Sequence, residues 1–165
     1  TSLAAGEVSI SERDGGGVDV TPHSFAAMRD FIRPLLLQFV AQVEGIRGGA
    51  SLPSHLLGTS GTVTTIAGIQ MGLRRYDRSR VDGTWLSSSD VGQVTAQLLA
   101  MTYAERILNP CIGKERADLV MAGCAILEEI RLAFPASRIR VADRGLREGI
   151  LTTLMLEDGS FRRGA

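Results

Sequence analysis

A short apolar segment, a glycine-containing turn and a helical segment follow one another directly, with no residues between them, near the middle of this chain. Residues 52–57 predict a strand and residues 62–73 predict a helix. Further along, residues 139–141 predict a second strand, which residues 145–149 lead into a last helix ending near Leu156. Strands that alternate with helices of about 12 residues or more need crossover connections. The sequence therefore predicts an α/β fold.

The longest predicted helix begins near residue 21. Thr21 followed by Pro22 is typical of an N-cap and a first helical residue, and apolar residues then recur at intervals of three and four as far as Val43. Pro34 lies inside this pattern. Because proline removes a hydrogen bond and crowds the preceding turn, we expect a kink there or two separate helices.

Weak alternation of apolar residues also predicts a half-exposed strand at the N-terminus, followed by a glycine turn. The strand covers residues 1–13 and the turn covers residues 14–17. The other predicted elements are an extended segment over 80–86, N-caps over 87–90, helices over 91–101 and 103–108, and a helix over 114–134.

The composition is that of one packed globular domain. The chain has 165 residues, of which 44% are hydrophobic and 22% are charged, and this balance excludes disorder. The longest run without a polar or charged residue, 119–127, is about half of what a membrane-spanning helix needs, so we expect no membrane span. No basic and apolar leader follows Thr1, so we expect no signal peptide.

The charges cancel, with 18 basic and 18 acidic residues, so no global field favours nucleic acid or a membrane as a partner. Every basic residue except Lys114 is arginine. Arginine suits phosphate recognition, but a GC-rich coding sequence gives the same bias. The spacing of Cys111 and Cys124 indicates reduced, buried thiols and hence a cytoplasmic protein.

A glycine-containing turn connects the first strand of the α/β unit to its helix. We call it the turn motif, and it comprises Gly58, Thr59, Ser60, Gly61 and Thr62. Glycines let a ligand approach the backbone, and the first amides of a helix are unpaired and carry partial positive charge, so such a turn favours phosphate. Hydroxyl groups add donors, and Thr64 and Thr65 would prolong the polar edge. A Walker A ending is missing. A plain turn whose serine caps the helix explains the pattern equally well.

Other polar residues are expected to have structural roles. His23 and His55 are separate in sequence and lack the partners of a metal site. Glu128 and Glu129 lie beside Arg131 on a predicted helix face and are expected to be solvated. We therefore assign no catalytic residue and no metal ligand in this chain.

Four arginines cluster just after the helix that follows the turn motif, and they are Arg74, Arg75, Arg78 and Arg80. Cations at the carboxyl end of a helix are favoured by its dipole, so the cluster can be purely structural. A patch that steers an anionic substrate is the functional alternative.

Three segments together resemble the exopolyphosphatase and guanosine pentaphosphate phosphohydrolase family. They are residues 58–65, the Glu-Arg-Ala-Asp sequence at 115–118 leading to apolar residues 122–127, and residues 145–151. Their order and spacing match the family, and residues 2–8 resemble the strand that precedes its long helix. The resemblance thus covers nearly the whole chain.

This resemblance implies the two-lobed fold shared with actin, sugar kinases and the heat-shock chaperone ATPase. Residues 1–156 would form its second lobe, a ribonuclease H-like mixed sheet flanked by helices, and residues 157–165 a polar tail or linker. The first lobe, the catalytic glutamate and an Asp-x-Gly-Gly-Gly-Ser phosphate loop would precede Thr1. The glycines of the predicted turn at 14–17 are no substitute for that loop, since Asp14 precedes them in a polar turn.

The resemblance also implies a function for the complete protein, which is release of terminal phosphate from inorganic polyphosphate or guanosine pentaphosphate, helped by Mg²⁺ bound outside this chain. The turn motif would face the cleft between lobes. Arg116 would be a phosphate contact, unless it pairs with Glu115 or Asp118. Arg147 would lie in a turn beside the cleft, unless it pairs with Glu148.

This chain alone is expected to be inactive, and the first lobe is its expected partner. Two other classes of function are open. One is a phosphotransferase of the same superfamily. The other is a non-catalytic lobe that binds polyphosphate or nucleotide, or that forms a homodimer through an apolar helix face.

Overall fold

A computed structural model describes residues 3–49 and 54–160, which form helices around a three-stranded mixed sheet. The helices are α1 (Glu7–Arg13), α2 (Pro22–Arg47), α3 (Gly61–Gln70), α4 (Arg78–Val81), α5 (Ser88–Ala100), α6 (Tyr103–Leu108), α7 (Val120–Ala133) and α8 (Leu146–Glu157). The strands are β1 (Leu56–Gly58), β2 (Trp85–Ser87) and β3 (Arg138–Val141).

The strand order is β1-β3-β2, with β1 parallel and β2 antiparallel to β3. Leu86, Ile139 and Val141 are buried on the inner face of the sheet. Because β1 and β3 are parallel, their carboxyl ends lie at the same edge, where the Ala142 N–H donates to the Gly58 carbonyl over 2.9 Å. The turns that follow these two strands therefore meet.

Helix α2 begins where the sequence predicts and ends at a glycine. Thr21 caps it by accepting a hydrogen bond from the Ser24 N–H, and Gly48 ends it in the left-handed region with φ of 57°. The helix continues through Pro34, so of the two expected alternatives, a kink or two separate helices, the second is wrong. Burial of its inner face against the core offsets the lost hydrogen bond, and this face comprises Phe25, Met28, Ile32 and Leu36.

Helix α2 packs along α7, and a buried carboxylate joins them. Glu129 of α7 is only 2% exposed and pairs with Arg29 over 2.7 Å and with Arg33 over 3.0 Å. The prediction that Glu129 is solvated is wrong, because its partners lie about a hundred residues earlier in the sequence. Glu128 does pair with Arg131, over 2.7 Å.

The N-terminal strand predicted over residues 1–13 is also wrong, since residues 7–13 form helix α1. Gly6 is the N-cap residue of this helix, and its N–H donates a hydrogen bond to the Ser9 hydroxyl over 3.1 Å. Ile10 is fully buried, and the Ser11 hydroxyl donates to the Asp118 carbonyl over 2.9 Å. These contacts bury one side of a helix. Residues 1 and 2 lie outside the described part of the chain.

Other boundaries differ modestly from prediction. Residues 80–86 are not extended throughout, because the Asp77 carboxylate caps the short helix α4 and only Trp85–Ser87 is a strand. The helix predicted over 114–134 begins at Val120 after a series of turns. Of the strand predicted over 52–57, residues 52 and 53 fall outside the described ranges.

The predicted glycine turn, the helices near 91–101 and 103–108, the strand near 139–141 and the last helix are confirmed. No helix in the described ranges combines the length and the hydropathy that crossing a bilayer requires.

Candidate functional site

The turn motif connects β1 directly to α3. Ser60 caps the helix, since its hydroxyl accepts a hydrogen bond from the Val63 N–H over 3.2 Å. The first intrahelical bond runs from the Thr64 N–H to the Ser60 carbonyl, so the amides of Gly61 and Thr62 precede it and remain at the open end of the helix. The cap that the sequence predicted is thus present, and it leaves helix amides for an anion.

Arg116 lies against this open end. A Cβ atom placed on Gly61 would overlap the Arg116 guanidinium, so only glycine leaves room for that side chain. The φ angle of Gly61 is not positive, so backbone conformation does not require glycine here. Among the described residues, the Arg116 side chain forms no hydrogen bond or ion pair, including with Glu115 or Asp118. A half-buried, unpaired guanidinium therefore faces the turn motif.

The threonines of α3 point away from this end. Thr62 is 2% exposed, and its hydroxyl donates to the Glu7 carboxylate of α1. Thr64 and Thr65 are buried too, and their hydroxyls donate to backbone carbonyls. The sequence predicted that Thr64 and Thr65 prolong the polar edge of the turn motif, and this prediction is wrong. The exposed hydroxyls of the motif are those of Thr59 and Ser60.

A polar groove of about 390 Å³ lies between the turn motif and the turn after β3. It brings Thr59 together with Arg147, which is exposed and forms no ion pair within the described residues. The Glu148 carboxylate instead accepts a hydrogen bond from the Gly145 N–H over 2.8 Å, and this hydrogen bond lowers the pKa of Glu148. The groove is lined by Thr59, Arg78, Asp143, Arg144, Arg147 and Glu148, among others.

A hydrogen-bonded network fixes the wall of this groove. The Tyr76 hydroxyl donates to Asp143 over 2.8 Å, and the Asp143 N–H donates to the Asp82 carboxylate over 2.9 Å. The Asp143 N–H and the Arg144 guanidinium lower the pKa of Asp82. Sequence reasoning missed this network. The one available signal was an aspartate two residues beyond the end of a predicted strand.

The four arginines of the predicted cluster differ in whether they contact the groove. Arg78 contacts the groove, pairing with Asp143 over 3.5 Å and with Glu148 over 3.4 Å. Arg74, Arg75 and Arg80 are exposed and form no ion pair within residues 3–49 and 54–160. Of these four arginines, only Arg78 therefore belongs to the candidate site.

The other side of the turn motif borders an apolar cavity of about 400 Å³. Ile126, Ile130 and Ile139 contribute to its wall, and Glu7 is its charged member. A phosphate group is better matched to the polar groove, where cations and hydroxyls are available.

The described residues contain no group of three or more His, Cys, Asp or Glu side chains suited to a metal ion. The resemblance implies that the ligands of Mg²⁺ lie outside this chain. His55 contacts Ser54 over 3.1 Å and meets Trp85 edge to face.

Both cysteines are buried and unpaired, as predicted. Burial raises the pKa of Cys111 and raises that of Cys124 to about 12. These thiols are therefore poor nucleophiles at neutral pH.

An open helix end, an unpaired arginine and a polar groove at the carboxyl edge of a mixed sheet are features of proteins that bind phosphate groups. Residues 1–158 match the family described as the Ppx/GppA phosphatase family. The chain belongs to this family, and the predicted membership is confirmed.

Relatives agree with this assignment. Over 102 residues the chain is 24% identical to Exopolyphosphatase 2 of Mycobacterium tuberculosis, in a match that covers 59% of this chain and 32% of that protein. The Ppx/GppA family member of Aquifex aeolicus has a TM-score of 0.79 at 23% identity, covering 96% of this chain and 49% of that one. An exopolyphosphatase of Cytophaga hutchinsonii has a TM-score of 0.74 at 22% identity, covering 88% and 46%.

These structural similarities confirm the predicted α/β fold, a mixed sheet flanked by helices of the actin-like class. The chain spans about a third of the curated relative and about half of each solved structure.

Proposed function

We propose that this chain is the second lobe of a phosphohydrolase that releases terminal phosphate from inorganic polyphosphate or guanosine pentaphosphate. The turn motif, Arg116 and Arg147 would form one wall of the cleft between lobes. Both substrates end in a phosphoanhydride, so the same wall can serve either. We expect the protein to be cytoplasmic, with the first lobe as its partner.

The observation that carries this proposal is the meeting of Gly61 and Arg116. They are far apart in sequence, yet glycine at position 61 makes room for a guanidinium at the open end of α3. A charged donor with no carboxylate partner, held beside helix amides, is suited to a phosphate oxygen.

The role of these residues would be electrostatic. Phosphoryl transfer depends mainly on positioning and on neutralising charge that spreads over phosphoryl oxygens. Backbone amides at Gly61 and Thr62, the hydroxyl of Thr59 and the two arginines would hold the phosphate chain. The glutamate that activates water would belong to the first lobe, as the family resemblance implies.

A double-mutant cycle in a protein that carries both lobes tests the proposal. Arg116→Ala should lower kcat/KM about a hundredfold, which is typical of losing one preorganised donor. Gly61→Ala should also lower it, because a methyl group displaces the guanidinium. The double variant should be no worse than Arg116→Ala alone, since both changes remove the same contact.

Lys114→Ala is the matched control, because it removes one exposed positive charge in the same turn region without reaching Gly61. It should retain parental activity. Full activity of the Arg116→Ala variant, or strictly additive effects of the two substitutions, would contradict the proposed phosphate contact.

A second candidate function, a non-catalytic lobe that forms a homodimer, is supported by α8. No residue of this helix is buried, and Leu146, Ile150, Leu151 and Leu154 are between 51% and 80% exposed. An apolar helix face of this kind favours association. Sedimentation equilibrium should then show a dimer that Ile150→Asp dissociates, and a monomeric parent chain would exclude it.

A further inference from the structure

We propose that the outer face of the sheet carries a second anion-binding surface, formed by Trp85, Arg138 and Arg140 and called the outer-face cluster below. Its ligand is a linear polyphosphate whose end lies at the turn motif and whose following phosphates cross the sheet. This inference rests on the proposed function and narrows its substrate class to a long polyanion.

The cluster is built by the strand register. Trp85 of β2 and Leu57 of β1 both lie opposite Arg140 of β3. Because neighbours along each strand point to opposite faces, burial of Leu86 and Ile139 directs these residues outward. Trp85 is 40% exposed and Leu57 is 66% exposed, so the face is open.

Both arginines stack on the indole. The Arg138 guanidinium carbon lies 4.2 Å from the centroid of the Trp85 ring, and that of Arg140 lies 5.0 Å from it. His55 packs edge to face on the same ring at 5.2 Å. Stacking holds a guanidinium by its face and leaves its N–H groups free to donate to phosphate oxygens.

Neither arginine has a counter-charge, since within the described ranges Arg138 and Arg140 form no ion pair. Of the fifteen arginines in the described ranges, seven differ from Arg138 and Arg140 in this respect. Those paired with a carboxylate are Arg13, Arg29, Arg33, Arg47, Arg78, Arg131 and Arg144. Two uncompensated cations side by side favour a polyanion.

The cluster also lies close to the turn motif. Arg140 is in register with Leu57, two residues before Thr59, which is roughly 7 Å along an extended strand. A chain of several phosphates can therefore contact Thr59 and Arg140 together. A diphosphate held at the turn motif cannot extend over the whole sheet face.

Trp85 makes the test direct, because it is the single tryptophan of the chain. The 165-residue chain is titrated with long-chain polyphosphate, pyrophosphate and guanosine pentaphosphate while indole emission is recorded. Long-chain polyphosphate should change the emission saturably, with an affinity that falls as salt is added. A response to guanosine pentaphosphate alone, or no response to polyphosphate, overturns the proposal.

The test variant is Arg138→Gln with Arg140→Gln, and the matched control is Arg74→Gln with Arg75→Gln, which removes two exposed, unpaired charges elsewhere. The test variant should bind polyphosphate about tenfold more weakly or worse, whereas the control should stay within about twofold. Circular dichroism and urea denaturation check that each variant is folded, because loss of the stacked arginines by itself changes the Trp85 emission of the test variant. Equal affinity of parent and test variant refutes the cluster.

Arg116→Ala separates this inference from the proposed function. It leaves the outer-face cluster intact, so the Trp85 response should persist in that variant. If Arg116→Ala retains full hydrolytic activity in the protein that carries both lobes, while the 165-residue chain shows the Trp85 response, only the proposed site fails. If its activity is lost and Trp85 is silent in the parent chain, only the outer-face cluster fails.

Discussion

Replacing Gly123 with alanine should destabilise this lobe, although alanine is the better helix former. Gly123 lies in α7 where that helix meets the first turn of α3. A Cβ there would overlap the Thr62 hydroxyl and lie 2.7 Å from the Glu7 carboxylate and 2.9 Å from the Thr62 Cβ. Carbon atoms in contact normally lie about 3.5 to 4 Å apart, so something must move.

The expected size follows from three contributions. Helix propensity favours alanine by about 1 kcal/mol. Overpacking of a buried site costs about 1 to 3 kcal/mol, and disturbing the hydrogen bond from Thr62 to the Glu7 carboxylate costs roughly 1.5 to 3 kcal/mol. The net loss in the free energy of unfolding should therefore be about 2 kcal/mol or more.

Urea denaturation of the 165-residue chain measures this loss, and Gly92→Ala is the matched control. Gly92 lies in helix α5. Apart from its chain neighbours and its own helical backbone, no atom of the described residues lies within 4 Å of the place that a methyl group would take, so alanine there should stabilise by about 0.5 to 1 kcal/mol. The double variant with Gly123→Ala and Thr62→Ala should lose less free energy of unfolding than the sum of the losses in the two single variants. A Gly123→Ala chain as stable as the parent would refute the packing described here.

Three further outcomes are expected. The 165-residue chain alone should release no phosphate from polyphosphate with Mg²⁺ present, and turnover that survives controls for contaminants would contradict the proposal that the first lobe supplies the catalytic glutamate. Glu129→Gln should lower the free energy of unfolding by roughly 1 to 3 kcal/mol, while Glu44→Gln, in an exposed pair, should change it by less than about 0.5 kcal/mol in chemical denaturation. The Cys124 pKa of about 12 exceeds its ordinary value of 9.0, so the unfolded chain loses this proton first. Titration of Cys124 should leave the free energy of unfolding unchanged below about pH 9 and lower it above that pH by up to about 1.4 kcal/mol per pH unit. The Cys124→Ala variant should show a shallower fall.

Local signals in the sequence predicted the elements that local chemistry decides. The start of α2 at Thr21 and Pro22 and its end at Gly48 depend on neighbouring residues alone. The prediction for the N-terminal segment was wrong because two alternating apolar residues suit a strand or one side of a short helix. Burial of Ile10 and the bond from Ser11 to a distant carbonyl decide between them.

The candidate site shows the same division. The turn motif and Arg116 could be singled out from sequence, the latter through a family resemblance, and the cap by Ser60 followed from its position. Which threonine hydroxyls face the groove could not be predicted, because the buried face of α3 is set by α1 and α7. The pairing of Tyr76 and Asp143 joins residues far apart in sequence, so no local pattern indicates it.

Pro34 has a consequence for how α2 moves. All the buried residues of α2 lie at or before Leu36, whereas Leu37 is 58% exposed and Ile46 is 88% exposed. Pro34 also cannot donate to the Asp30 carbonyl, so the helix is weakest where its buried part ends. The last turns of α2 can therefore fray and re-form without opening the core. We expect the amide hydrogens near Arg47 to exchange faster than those of the turns that hold Phe25, Met28 and Ile32 in the core.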